Sequence, residues 1–192
     1  MAMAQFKVAL IVGSNRRESV NRKLAQALAK LYAPGLEFQF VQIDDLPLYN
    51  QDNESNLPAG VVRFKSEIAA ADGIVFVTPE HSRSIPAALK NAIDWGARPW
   101  GKNSWTGKVA AVTGTSQGAI STALAQQHLR LVLGAQGVLL MGGETYITFK
   151  PGLIDADDTV TDESTRGFLR SFLDQFAALV ARFAAAPSRA AA

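Results

Sequence analysis

Lys7-Val8-Ala9-Leu10-Ile11-Val12, followed at once by Gly13-Ser14-Asn15, is the stretch on which the fold turns. After Lys7 no residue is polar, so the segment cannot alternate between a wet and a dry face. It reads as a strand covered on both sides, the kind found in parallel sheets. Outward from it, the chain is helical from Val20, with Leu24, Leu28 and Leu31 on one face and Pro34-Gly35 as a stop. Phe38-Gln39-Phe40-Val41-Gln42-Ile43 then alternates as a strand, and a polar loop through Asn50, Asp52, Asn53 and Asn56 follows.

The same alternation continues to the end of the chain. Pro58 opens a helix whose Val61, Phe64 and Ile68 share a face. Gly73-Ile74-Val75-Phe76-Val77-Thr78 is a second fully apolar strand, stopped by Pro79. A helix from Ile85 or Pro86 carries Leu89, Ala92 and Ile93. Lys108-Val109-Ala110-Ala111-Val112-Thr113 is the fourth strand, closed by Gly114. A helix to about Leu133 precedes a fifth strand, Gly137-Val138-Leu139-Leu140-Met141. The last helix holds Leu169, Phe172, Phe176, Leu179, Val180 and Phe183, and residues 184–192 read as a frayed alanine-rich tail.

Strands separated by helices of about ten residues or more imply an α/β, doubly wound parallel sheet. With right-handed crossovers, five strands take the flavodoxin-like order 2-1-3-4-5, in one domain spanning residues 1–183. Ligands of such sheets lie beyond the carboxyl ends of the strands, where the winding reverses. The loops Gly13–Val20, Pro79–Ser84 and Gly114–Ala119 should border that crevice.

Composition narrows the chemistry. With no cysteine among 192 residues, disulfides and thiolate catalysis are excluded, and with two histidines far apart a zinc site is a poor fit. A net charge of +2 without a basic run argues against nucleic acid. No apolar run approaches the roughly 18 residues of a membrane span, and the first residues lack a signal-peptide pattern. A cytoplasmic protein is expected.

The loop Gly13-Ser14-Asn15-Arg16-Arg17-Glu18-Ser19-Val20-Asn21 joins a buried strand to a helix N-terminus. Such a terminus offers unpaired N–H groups and partial positive charge, and Ser14, Ser19, Asn21 and an arginine can add hydrogen bonds. A plain helix cap is the bland alternative for Ser19 or Asn21. The loop lacks the glycine spacing of a Walker or Rossmann fingerprint, so a monophosphate such as that of FMN fits better than a pyrophosphate.

Three segments together resemble the NADPH-dependent FMN reductase family, nearest its chromate and quinone reductase branch. They are Gly13-Ser14-x-Arg16-x-x-Ser19-x-Asn21, then Pro79-Glu80-His81-Ser82-Arg83-Ser84-Ile85-Pro86, then Leu89-Lys90-Asn91-Ala92-Ile93-Asp94-Trp95. The resemblance spans about Phe6 to Tyr146. It implies a non-covalent FMN whose phosphate is held by Ser14, Arg16, Ser19, Val20 and Asn21. Pro79, Glu80, His81, Ser82, Arg83 and Ser84 would lie along the isoalloxazine, and Thr115, Ser116, Gln117 and Gly118 would close the other side. Lys90, Asn91, Asp94 and Trp95 would be scaffold.

The resemblance also implies NADPH or NADH as donor, and quinones, chromate or other oxidised metal ions as acceptors, in a ping-pong cycle through the flavin. No catalytic side chain or resident metal is expected, because the flavin carries the chemistry. The alternative is a flavodoxin-type electron carrier without its own NAD(P)H turnover. A homodimer or homotetramer is expected, with Trp95, Trp100 and Trp105 supplying aromatic surface.

Two departures stand out. His81-Ser82 replaces the family's Tyr-Asn, and Leu124 and Gln127 replace an Arg and a Tyr used in subunit contacts, where Glu144 matches an acidic position. His128 shares a helix face with Ile120, Leu124 and Leu131 and reads as a packed histidine. Arg83, Arg98 and Lys102 could attract phosphates or an oxyanion, with solvated surface the default. Asp155, Asp157 and Asp158 read as a solvated turn rather than a calcium loop.

Overall fold

In the computed structural model, which describes residues 6–31 and 35–184, the opening stretch is β1 (Phe6–Val12), with a parallel neighbour on each edge. β2 (Leu36–Val41) pairs with one edge and β3 (Gly73–Val77) with the other. β4 (Val109–Ser116) follows β3, and β5 (Leu139–Leu140) follows β4, giving the order β2-β1-β3-β4-β5. That is the order expected from the sequence. The stop at Pro34 and residues 185–192 of the expected tail lie outside the described residues, and Ala184, expected in that tail, is helical.

The helices cover both faces, which is why β1 and β3 carry no polar alternation. α1 (Val20–Leu31) and α5 (Glu163–Ala184) enclose Val8, Leu10, Val75 and Val77 with Leu24, Leu28, Phe172 and Phe176. On the opposite face α2 (Ala59–Ala70), α3 (Ala87–Ala97) and α4 (Ala123–Ala135) enclose Ile11, Ile74 and Phe76 with Phe64, Leu89 and Leu129. A fully buried side chain of this size stabilises by roughly 1.5–3 kcal/mol, so the two layers carry most of the fold's free energy.

Three details differ from expectation. β2 starts at Leu36 and ends at Val41, so Gln42 and Ile43 already belong to the following loop. β4 does not close at Gly114 but continues through Thr115 and Ser116. The fifth strand is split: β5 is short, and β6 (Tyr146–Thr148) pairs in parallel with Gly114, Thr115 and Ser116 farther along β4. A bend at Gly142-Gly143, with Gly143 at φ 83°, separates the two halves. A three-residue strand that short and that polar leaves little trace in a hydrophobicity pattern.

Gly114 is needed for space. A Cβ there would stand 2.1 Å from the carbonyl oxygen of Thr78 and 2.6 Å from Thr122 Oγ1. The bare α-carbon lets the exit of β3 close against β4 directly beneath the crevice.

The tryptophans correct the surface reading. Trp95 and Trp105 are fully buried, donating indole N–H bonds to Pro47 O (2.7 Å) and Ile93 O (2.8 Å). Of the three tryptophans, only Trp100, 88% exposed, presents its ring at the surface.

Candidate functional site

β1, β3 and β4 deliver their carboxyl ends to one rim. Gly13 N–H still bonds Val77 O (2.9 Å), so β1 stays paired one residue past its end. The chain then runs exposed from Asn15 to Glu18 before Ser19, which is buried, starts α1. Ser19 is the cap: its Oγ accepts from Arg22 N–H (3.2 Å) and its carbonyl from Lys23 N–H (3.1 Å). Ser14 Oγ accepts from Arg16 N–H (3.3 Å).

What this loop leaves free matters more. An α-helix has four first-turn N–H groups without intrahelical acceptors. Among the described residues, those of Val20 and Asn21 find no acceptor, and Arg16 and Arg17 form no ion pair. The first turn of α1 holds no acidic side chain. Open helix donors, serine hydroxyls and a guanidinium are the donor set a phosphate monoester requires, so these residues fit the FMN phosphate.

Asn21 needs a correction. Its side chain points inward to the backbone of Thr115: Oδ1 accepts from Thr115 N–H and Nδ2 donates to Thr115 O, both at 2.9 Å. It clamps α1 to β4, and what it offers a ligand is its backbone N–H. Thr115 is corrected with it. Buried inside β4, its hydroxyl donates to Ile147 O (2.6 Å), so it is not a lining side chain. Ser116, half-buried at the end of β4, donates to Ser121 O (3.0 Å) and accepts from Gly118 N–H (3.2 Å). Gln117 and Gly118 are exposed and form the loop proper.

The segment after β3 is built differently. His81 and Ser84 exchange backbone bonds, each N–H donating to the other's carbonyl at 2.9 Å. Between them Ser82 (φ 49°) and Arg83 (φ 64°) both adopt left-handed conformations, which makes a two-residue hairpin of the type I′ kind. Neither is glycine, so each costs on the order of 1 kcal/mol and the surroundings must hold the turn.

Glu80 supplies one hold. Its side chain, 8% exposed, reaches α4: Oε2 accepts from Leu124 N–H and Ala125 N–H, both at 3.1 Å. Its Oε1 accepts from Arg83 Nη1 at 3.1 Å. The carboxylate therefore caps another helix. α4 needs that cap, because its own N-cap residue Thr122 makes no side-chain capping bond.

His128 supplies the other hold, with Nδ1 3.1 Å from Ser84 Oγ. It is exposed rather than packed; Leu124 and Leu131 on α4 are exposed too, as is Ile120, which lies in the turn before the helix rather than on its face. Gln127 Nε2 donates to Tyr146 Oη (2.9 Å) and to Glu144 Oε1 (3.4 Å), tying α4 to β6.

Several candidates lie elsewhere. Arg98 and Lys102 follow the far end of α3, about 16 Å along the helix from the crevice. Arg98 pairs with Glu54 (2.6 Å), and this hydrogen bond holds the Glu54 carboxyl below its ordinary value. Tyr49 donates to the same carboxylate, which raises its own pKa. Lys90 and Asp94 form an exposed pair, while Asn91 binds the backbone of residues 46–49, as scaffold would. Asp155 accepts from Asp157 N–H and Thr159 N–H within a turn, and no group of three or more metal-ligating residues occurs among the described residues.

Two clefts adjoin the rim. One of about 400 Å³ is lined by Ser14, Asn15, Arg22, Phe40 and Asp44. The other, about 430 Å³, lies between α3 and α4 against Ser84, Lys90, His128 and Leu131. No helix among the described residues is long and apolar enough to cross a membrane.

Comparison with known proteins gives the family. The model of the family described as NADPH-dependent FMN reductase matches residues 6–151. The 2-hydroxy-1,4-benzoquinone reductase of a Burkholderia species is 49% identical over 176 residues, covering 91% of this chain and 96% of that protein. The structure of FerB, a flavoenzyme NAD(P)H:(acceptor) oxidoreductase from Paracoccus denitrificans, superposes with a TM-score of 0.90 at 45% identity, covering 93% of this chain and 98% of FerB. A flavodoxin, WrbA-like protein from Agrobacterium tumefaciens superposes at 0.63 with 18% identity, covering 93% and 99%, and shares the fold.

Proposed function

The chain belongs to the NADPH-dependent FMN reductase family, and on that premise we propose that it binds FMN non-covalently and reduces quinones with NADPH or NADH. The observation that carries this reading is the open donor set at the start of α1, facing the same rim as a preformed turn after β3. When bound, the FMN supplies hydride acceptance from NAD(P)H and electron delivery to the acceptor, in two successive half-reactions. The chain's residues then have separable tasks. Ser14, Arg16, Ser19 and the N–H groups of Val20 and Asn21 neutralise the phosphate. Pro79 and the turn His81–Ser84 present backbone groups to one side of the ring, while Gln117 and Gly118 bound the other.

His81 stands exposed in that turn, a polar and open neighbour for an incoming substrate. The name of the Burkholderia relative supports a hydroxylated benzoquinone as acceptor class. Chromate and other oxidised metal ions are further acceptors on this reading, drawn to the rim by Arg16, Arg17 and Arg83. The protein works in the cytoplasm, where NAD(P)H is supplied.

A second copy belongs on the α4 face, as a homodimer or homotetramer. Ile120 just before α4, and Leu124 and Leu131 on it, expose 49%, 39% and 75% of their surface, and Leu131 lines the cleft beside Ser84. Sedimentation at micromolar concentration should give a dimer or tetramer, and Leu131→Glu should lower the mass.

The direct test of the function is an anaerobic titration of the FMN-loaded protein. NADPH should bleach the flavin bands and a benzoquinone should restore them. Flavin that binds but bleaches only with a partner reductase would assign the protein as an electron carrier.

A further inference from the structure

We propose that Glu80 is a positioning residue for the flavin turn: it borrows the N-terminus of α4 to hold His81–Ser84 in a conformation that the turn's own sequence does not favour. The inference rests on the FMN reading above only for what the turn is used for; the locking itself concerns the protein alone.

Ser82 and Arg83 sit at positive φ without glycine or asparagine, so the isolated turn is uphill. An opposing interaction must come from outside the hairpin. The carboxylate of the preceding residue provides it through two N–H bonds at the first turn of α4, where the helix dipole favours a negative charge. Its other oxygen receives Arg83, the more left-handed of the two central residues. His128 adds a second tie from the same helix, to Ser84. One helix thus fixes the residues on both sides of the strained pair, and the same carboxylate supplies a cap that Thr122 does not.

The arrangement makes loop geometry and helix capping one equilibrium. Loss of Glu80 leaves two N–H groups at the start of α4 unpaired and frees Arg83. The turn then has no reason to stay left-handed. A flavin that needs the turn's backbone must restore the conformation on binding and loses affinity accordingly.

The test compares Glu80→Ala with Lys65→Ala in the full chain. Lys65 Nζ donates to Gly96 O (3.0 Å) and Lys102 O (2.8 Å), so it also closes a helix end, but away from the rim. Two readouts are used: amide hydrogen exchange at His81 and Ser84 in the apoprotein, and FMN affinity by fluorescence quenching. Glu80→Ala should abolish protection of both amides and weaken FMN by roughly ten-fold, the factor for one charge-assisted hydrogen bond's worth of ordering. Lys65→Ala should leave both unchanged while lowering the melting temperature.

Retained protection in Glu80→Ala, or an equal loss of affinity in Lys65→Ala, overturns the proposal. Should Glu80→Ala fail to melt cooperatively, Glu80→Gln decides. It removes the charge at the helix end, so protection should fall and FMN should weaken by roughly three-fold or more; wild-type values in both overturn the proposal. If the wild-type protein binds no FMN, the functional reading fails, while the exchange experiment still decides the role of Glu80.

Discussion

The loop after β1 and the loop after β3 meet at one rim but are built on opposite plans. The first is polar, exposed and lightly tied, with Ser19 as its cap and first-turn N–H groups left open. The second is a strained hairpin held shut by its own backbone bonds, by Glu80 and by His128. On the proposed reading, the difference follows from what each would recognise. A phosphate is a compact charge that gathers donors around itself, so unpaired groups suffice. A planar ring offers weak, directional edges, and only a preorganised backbone meets them without losing the binding energy to ordering.

Changes to the frame shared by both loops should have the largest effect. Gly114→Ala forces a Cβ against Thr78 O and should cost about 3 kcal/mol or block folding, read from thermal melts. A wild-type melting temperature would mean that the close approach of β3 and β4 does not support the rim.

Next is Asn21→Ala, which removes both bonds to the Thr115 backbone and leaves those buried groups unpaired. A loss of about 2–3 kcal/mol in urea denaturation is expected, with weaker FMN binding in parallel. Affinity lost without stability would instead make the Asn21 side chain a direct ligand.

Arg16→Ala separates the loops. The guanidinium is exposed and forms no ion pair among the described residues, so the apoprotein should melt as wild type while FMN weakens by about ten-fold. That loss should shrink in high salt, where exposed charges are screened.

The smallest effect lies away from the rim and serves as a control. Arg98 holds the Glu54 carboxyl below its ordinary value of 4.5, so this pair's stabilisation is present above that value. It is lost as pH falls through the lower, folded-state value. Acid unfolding should be less steep in Glu54→Gln, and FMN affinity at neutral pH should be unchanged.

The layered sheet was legible because both faces of β1 and β3 are buried, which leaves continuous apolar runs. The loop after β1 was legible as a candidate phosphate site too, since open donors must be polar and must precede a helix. Other features left no local signature. Glu80 caps a helix that starts more than forty residues later in the chain, and Asn21 clamps a strand 94 residues away. Ser82 and Arg83 carry none of the usual residues for positive φ, because their conformation is imposed by distant contacts. The split of the fifth strand went unseen because β6 buries a single apolar side chain, Ile147, and is otherwise held by the backbone of β4. Trp95 and Trp105 misled for the converse reason: large aromatics close in sequence were each buried in the core by the close packing of α3.

The most direct test of the account compares FMN with riboflavin, which has the ring but not the phosphate. If the loop after β1 is the phosphate site, apoprotein should bind FMN on the order of 100-fold more tightly than riboflavin, as two charge-assisted hydrogen bonds require. Arg16→Ala should narrow that gap without changing riboflavin affinity. Equal affinity for the two ligands would contradict the assignment of Gly13–Asn21 and, with it, the division of labour between the two loops.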